Sequence, residues 1–389
     1  MLTRIIAVLG LAASAVALPT LGQRATVCNG RAELCNRSYG SVTYLTSHDS
    51  FASSPNPLDL ARTQQIGLTA QMNLGVRALQ AQSHMKDGVL HFCHTSCLLF
   101  DGGTVLSYLQ TVKSFMDSHP SEVFTFIFTN PERLSPKNIW DPIFQQSGLA
   151  SMAYVPPRLP MKATEWPTLA QLIETGKRLV VFMDYGSNTA EVPYILPQFD
   201  HVWEPPFSST DPNFPCRVDR ISGSLSSEDH MFMINHNLNV KVFPWVQRRS
   251  PLPEPGFFDS IAGAISNGIN TVKDAVNNGV STVVGAVNNG IEHINNGIGQ
   301  VNDGVEQGTD ALASVLVPDF LNAAKTNSMT SILKDSEGCA PFSGGKKTNF
   351  VMLDFIDIGE GMKAAVPGHE KDNRPPPALP LLVFVMPKQ

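Results

Sequence analysis

Val123-Phe124-Thr125-Phe126-Ile127-Phe128-Thr129-Asn130 and Leu179-Val180-Val181-Phe182-Met183-Asp184 are two apolar runs, each closed by a polar residue. Neither shows the apolar–polar alternation of a strand with one wet face. Near-continuous apolar strands are covered on both faces, which is the situation in a parallel sheet.

Working outward from these two, similar β-rich runs occur at Ser41–Ser47, Val76–Gln82, Val89–Cys93, His201–Glu204, Met231–Asn235 and Asn349–Phe355. Helical patterns separate many of them. Leu58–Leu74 precedes the second run. Val105, Leu106, Leu109, Val112, Phe115 and Met116 form an apolar stripe before the fourth. Leu169–Thr175 ends at Gly176, a suitable helix C-terminus. Strands alternating with helices predict an α/β fold, a (β/α)₈ TIM-type barrel. Its C-terminal strand ends should carry the chemistry. Polar residues cluster there: His48-Asp49, Gln80 and Gln82, His94, Asn130, Asp184, Glu204, Asn235-His236 and Asp354.

With 389 residues, 42% of them apolar, the chain is long enough to bury such a core. A net charge of -6 argues against a basic nucleic-acid surface. Residues 1–17 read as a secretory signal: Arg4, an apolar run from Ile5 to Val16, and Ala15-Val16-Ala17 as a cleavage site. Six cysteines fit an oxidising compartment: Cys28, Cys35, Cys93, Cys97, Cys216 and Cys339. The count leaves the pairing open. Cys28–Cys35 and Cys93–Cys97 suit local bridges, which leaves Cys216–Cys339 as a long-range one. Asn36-Arg37-Ser38 is a glycosylation sequon. The expected localisation is extracellular.

Residues 256–310 interrupt the barrel pattern. Asn267-Gly268, Asn278-Gly279 and Asn289-Gly290 repeat every 11 residues, and Ile or Val recurs at steps of three and four. Eleven residues over three turns is close to the natural helical period, so an amphipathic helix or a set of shorter ones is expected. It would lie on a membrane surface, pack on the barrel or on a second copy, or form a largely disordered insertion. Residues 359–389 form a Pro-rich C-terminal tail with Arg374-Pro375-Pro376-Pro377.

Two histidines at neighbouring strand ends, His48 and His94, suit general acid–base work, because imidazole titrates near neutral pH. An adjacent carboxylate such as Asp49 can fix a tautomer. His48-Asp49-Ser50, then Leu74-Gly75-Val76-Arg77-Ala78-Leu79-Gln80-Ala81-Gln82, then Phe92-Cys93-His94-Thr95-Ser96-Cys97 stand in one order. With Gly176–Gly186 and Asn349–Phe355, this series resembles the X-region of phosphatidylinositol-specific phospholipase C. It is similar above all to the secreted fungal phospholipase C-like phosphodiesterases. The resemblance covers residues 28–250 and 318–358 and spans a domain of 28–358.

The resemblance implies a barrel with His48 as general base toward an inositol 2-hydroxyl and His94 as general acid toward the departing diacylglycerol oxygen. Asp49 would orient His94, and Asp354 would partner His48. The product would be a cyclic phosphodiester. The chain departs from the family at Gln80 and Gln82. Calcium-dependent members carry an acidic pair there, and calcium-independent bacterial members carry an Arg. A hard cation requires carboxylates, so no metal or other cofactor is expected. Three explanations stand open: Lys86 or another basic residue of the mouth supplies the positive charge, the substrate needs less charge stabilisation, or the barrel binds without turnover; Arg77 should be structural.

The expected function is phosphodiester cleavage of a phosphoinositide-like lipid or related phosphodiester. Membrane contact would run through residues 256–310. The alternatives are an inactive barrel that binds lipid or sugar-phosphate head groups, and a metal enzyme built on Asp184, Glu204 or Asn130.

Overall fold

The computed structural model describes residues 24–56, 59–241 and 316–364. The calls on residues 1–17 and 256–310, and most of the C-terminal tail, lie outside the described residues.

Eight parallel strands form one curled sheet: β1 Tyr44–Ser47, β2 Ala78–Lys86, β5 Phe124–Thr129, β6 Leu179–Met183, β7 Ile195–Pro197, β8 Val202–Trp203, β9 Met231–Asn235 and β12 Phe350–Leu353. Their order is β7-β6-β5-β2-β1-β12-β9-β8. No ladder joins β7 to β8, so the barrel keeps one seam, bridged by the turn Gln198–Asp200. The α/β barrel architecture is the one read from the sequence.

Its membership needs one correction. Val89–Cys93 is a strand, β3, but it leaves the barrel. It pairs antiparallel with the outer half of β2, from Ser83↔Phe92 to Lys86↔Val89, and with β4, Asp101–Thr104. The cause is Asp87-Gly88, with φ of 50° and 77°. A two-residue turn with both φ positive folds a strand straight back on itself, and a parallel neighbour cannot be reached so briefly. The eighth barrel strand is instead Ile195–Pro197, which pairs with β6 at the seam and is three residues long with Pro197 at its end. The helical pattern over Leu58–Leu74 is also shorter than read: α1 spans Leu68–Asn73. Two further strands, β10 Asn239–Lys241 and β11 Leu316–Pro318, form a separate ladder.

Side-chain alternation splits the core in two. Tyr44, Ala78, Ile127, Val180, Phe182, Leu196, Val202, Met231, Met233, Phe350 and Met352 fill the barrel. Their neighbours along each strand, such as Leu45, Leu79, Phe126, Val181, Ile234 and Val351, pack outward. The outer layer includes α2, Val105–Ser118, which buries Val105, Leu109, Val112 and Met116 on one stripe. Each such side chain contributes ~1.5–3 kcal/mol of burial. Thr104 caps α2 by accepting the Ser107 N–H.

Carried one step further, the alternation aims one polar residue or more from every barrel strand into the mouth: His48, Gln80 and Gln82, Thr129, Asp184, Gln198, Glu204, Asn235 and Asp354. Asn130 and His236, expected in this ring, are one residue out of phase and face outward. All three disulfides form as paired in the sequence reading: Cys28–Cys35, Cys93–Cys97 and Cys216–Cys339.

Candidate active site

His48 leaves β1 pointing into the mouth. Its Nδ1 lies 2.6 Å from Asp354 Oδ1, at the end of the neighbouring β12. Its Nε2 faces Asp49 Oδ2 at 3.8 Å. Burial disfavours the imidazolium, but contact with Asp354 and the charge of Asp49 overcome this and raise the pKa to about 9. Asp354 is therefore the direct partner of His48.

His94 reaches the same place from outside the barrel. It follows β3 on the hairpin arm, inside the short loop closed by Cys93–Cys97. Its Nδ1 lies 2.6 Å from the carbonyl of Ala61 and donates to it. Its Nε2 faces Asp49 Oδ2 at 3.7 Å. The two rings stand edge to face with centroids 5.9 Å apart. Asp49 does not hold the rear nitrogen of His94. It sits between the two inner nitrogens, 2% exposed, with Oδ1 accepting the Gln82 N–H at 2.8 Å.

Gln80 and Gln82 lie beside this group on β2. Gln80 Oε1 accepts the Asp49 N–H at 2.7 Å, and Gln82 Oε1 accepts the Thr95 N–H at 2.8 Å. Lys86 lies at the tip of the β2–β3 arm and pairs with Asp101 at 2.6 Å, so it does not enter the mouth. Arg77 faces outward and donates to Glu122 and to the carbonyls of Met72 and Val76.

The far wall is acidic. Burial pushes the Asp184 carboxyl up to about 6, although it accepts the N–H groups of Asn130 and Tyr185. Glu204 is 1% exposed and is bound by Gln198, Arg220 and Asn235. Asn130 closes its own loop through Leu134 and Tyr185. Among the described residues, Asp184 and Glu204 belong to no group of metal-ligand spacing. The described cluster with metal-ligand spacing is His91, Cys93 and Asp101, but the Cys93 sulfur is committed to its disulfide.

Three contributors escaped the sequence reading. Asn237 Nδ2 lies 3.4 Å from His48 Nδ1. The period-two spacing from Asn235 was a usable signal for it. Gln64 donates to the carbonyls of His48 and Leu353. The Ala61 carbonyl is backbone and leaves no mark in a sequence. Asn237 Oδ1 and Asp354 Oδ2 are buried without a partner among the described residues, so both can accept hydrogen bonds from a bound molecule.

The family model PI-PLC X 1 matches residues 34–250 and 299–367. The chain belongs to the PI-PLC X family. A PI-PLC X domain-containing protein 1 of Arthroderma benhamiae is 43% identical over 229 residues, 58% of this chain and 73% of that protein. An uncharacterized secreted protein of the same fungus is 42% identical over 217 residues. That match covers 55% of this PI-PLC X chain and 48% of the relative, about half its length. The phosphatidylinositol-specific phospholipase C of Staphylococcus aureus aligns over 86% of the chain and 90% of its own, at 11% identity and a TM-score of 0.41. Among the described residues, no helix is long and apolar enough to cross a membrane.

Proposed function

We propose that this chain is a secreted phosphodiesterase that cleaves a phosphoinositide-like lipid, or a related polyol phosphodiester, by acid–base catalysis. One observation carries the reading. Two histidines, each anchored through Nδ1, turn their Nε2 atoms toward one carboxylate oxygen at 3.8 and 3.7 Å.

In the proposed step, a substrate hydroxyl attacks the phosphorus. Its proton passes to His48 Nε2 as the new P–O bond forms. The bond to the leaving oxygen breaks, and that oxygen takes the proton from His94 Nε2. A cyclic phosphodiester and an alcohol result. The Asp354 carboxylate holds the His48 Nδ1 proton and stabilises the imidazolium as it forms. The Ala61 carbonyl holds the His94 Nδ1 proton, so it is the imidazolium form of His94 that carries the transferable proton on Nε2 and is left neutral once the leaving oxygen takes it. Asn237 Oδ1 and Asp354 Oδ2 would accept head-group hydroxyls.

The reaction is proposed to need no calcium. Gln80 and Gln82 stand where calcium-dependent relatives carry acids, both are uncharged, and both side-chain oxygens already accept backbone N–H groups. They do not fit a hard cation. Secretion is supported by the N-terminal apolar run, three disulfides and the secreted relative's name. Asn36 is exposed, as a glycan site must be. Residues 256–310 are proposed to meet the lipid surface.

A second reading, a barrel that binds a head group without turnover, is favoured by the same uncharged glutamines. They bring no positive charge to a phosphate, and loss of preorganised charge costs rate. A phosphodiester panel assayed with and without chelator separates the readings. Turnover unchanged by chelator is expected. Turnover abolished by chelator sinks the metal-free mechanism, and an inert protein that sediments with lipid vesicles establishes the second reading.

A further inference from the structure

Gln80 and Gln82 are bound in a way that phosphate chemistry does not require. Each side-chain oxygen accepts the N–H of the residue directly after one of the two histidines. Asp49 follows His48 and donates to Gln80, while Thr95 follows His94 and donates to Gln82. Both of those residues have positive φ, 34° at Asp49 and 63° at Thr95. Non-glycine residues stay in that region only when their surroundings hold them there. The main chain of β2 adds to the hold. Gln80 O accepts the Ser50 N–H at 2.9 Å, and the Gln82 N–H donates to Asp49 Oδ1 at 2.8 Å.

The two glutamines are two residues apart on the same face of one strand. Their separation is therefore set by strand geometry, about 6.5–7 Å. One end of this ruler grips the turn that carries His48. The other grips the loop that carries His94, which lies outside the barrel, just past the end of the β3 ladder.

We propose that Gln80 and Gln82 are positioning residues: a two-point backbone clamp on β2 that sets the spacing and orientation of His48 against His94. The proposal rests on the acid–base reading above. It explains why an amide serves where relatives hold a metal ligand. A carboxylate could accept the same N–H, but two more anions beside Asp49 and Asp354 would repel a phosphodiester.

The test compares Gln80→Met and Gln82→Met, which keep length and lose the acceptor, with Gln80→Glu and Gln82→Glu, which keep the acceptor. The Met variants are expected to lose about 10–100-fold in kcat with KM nearly unchanged, as small misplacements of reacting groups do. The Glu variants keep the acceptor but add one anion, so they should recover most of that kcat while KM rises through repulsion of the phosphodiester. If the Glu variants are as poor in kcat as the Met variants, or if the Met variants raise KM with kcat unchanged, the amides bind substrate and the clamp is overturned.

A second arm does not depend on turnover. By NMR, the Asp49 and Thr95 amide protons should exchange slowly in the wild type and faster in the Met variants. In the Glu variants they should move downfield, because a charged acceptor makes a stronger hydrogen bond. Unmoved resonances in the Glu variants overturn the clamp even if a Met variant fails to fold. An inert wild type that still shows these shifts removes the acid–base reading and leaves the clamp standing.

Discussion

Two histidine–carboxylate pairs lie on this barrel with nearly the same geometry and opposite surroundings. His48 Nδ1 meets Asp354 at 2.6 Å on the inner face of the mouth. His236 Nδ1 meets Asp335 at 2.7 Å on the outer face, under the helix Met329–Cys339. The second ring nitrogen separates them. His48 Nε2 points at Asp49 and His94 across more than a hydrogen bond's length, leaving room for a reacting atom. His236 Nε2 donates to the Thr326 carbonyl at 2.8 Å and also touches Ser331, and the ring is fully buried. A His–Asp pair alone is therefore no sign of catalysis. What matters is whether the other nitrogen is already satisfied. One residue of strand phase, Asn235 inward and His236 outward, decides which kind of pair results.

Substitutions that treat the two pairs alike should break that comparison most sharply. His48→Ala removes a proton acceptor at the proposed reaction centre. It should cost about 10²–10⁴-fold in kcat per folded molecule, whatever the loss of the Asp354 pair does to the thermal midpoint. Asp335→Ala leaves His236 without its anion in a sealed layer, a loss of about 3–5 kcal/mol. That should lower the thermal midpoint by many degrees while kcat per folded molecule stays near wild type. Initial rates beside thermal unfolding curves check both. If Asp335→Ala lowers kcat as His48→Ala does, the outer pair is not merely structural.

Asp354→Asn sharpens the comparison through pH. Asp354 raises the His48 pKa to about 9. The neutral base then accumulates only as pH climbs toward 9, so kcat/KM should rise along that limb. The Asn variant should move the limb down toward the ordinary imidazole range of about 6.5. The stability effect has the opposite sense. A raised imidazole pKa stabilises the fold below about 6.5, and the benefit is lost as pH rises through 9. Unfolding midpoints of wild type and Asp354→Asn should therefore differ at pH 6 and converge above pH 9. An unmoved limb in the pH–rate profile refutes this coupling.

The parts of this molecule written in side-chain pattern were legible. The runs around Phe126 and Val181 announced strands covered on both faces, and the polar residues expected at the strand ends, Asn130 and His236 excepted, form most of the mouth. His48 and His94 do meet, and all three cysteine pairings hold. What failed depends on backbone geometry. Asp87-Gly88 turns β3 out of the barrel through two positive φ angles, and Ile195–Pro197 is too short to carry a period. The anchor of His94 is a carbonyl, which any residue at position 61 would offer. The resemblance implies Asp49 as the orienter of His94, whereas its carboxylate faces the Nε2 atoms of both histidines, a geometry that the order of residues in a motif does not carry.

The smallest effect concerns that anchor. His48 stands on a barrel strand, whereas His94 stands on an arm and is placed by the Ala61 carbonyl, by Gln82 through Thr95, and by the disulfide that brackets it. Removing one of three restraints should loosen the loop without releasing it. A Cys93→Ala, Cys97→Ala double variant should lose several-fold in kcat, far less than His94→Ala, with KM preserved. The global fold should hold, because the bridge closes a loop of separation 4 and short loops gain little from cross-linking. Mild reductant on the wild type should reproduce the loss, provided that the buried Cys93 is reached. If the double variant matches wild type in kcat, the carbonyl and the glutamine are sufficient and the disulfide has no part in placing His94. If it matches His94→Ala, the bridge is the dominant restraint, and a histidine held by an arm depends on its covalent bracket in a way that one held by the barrel does not.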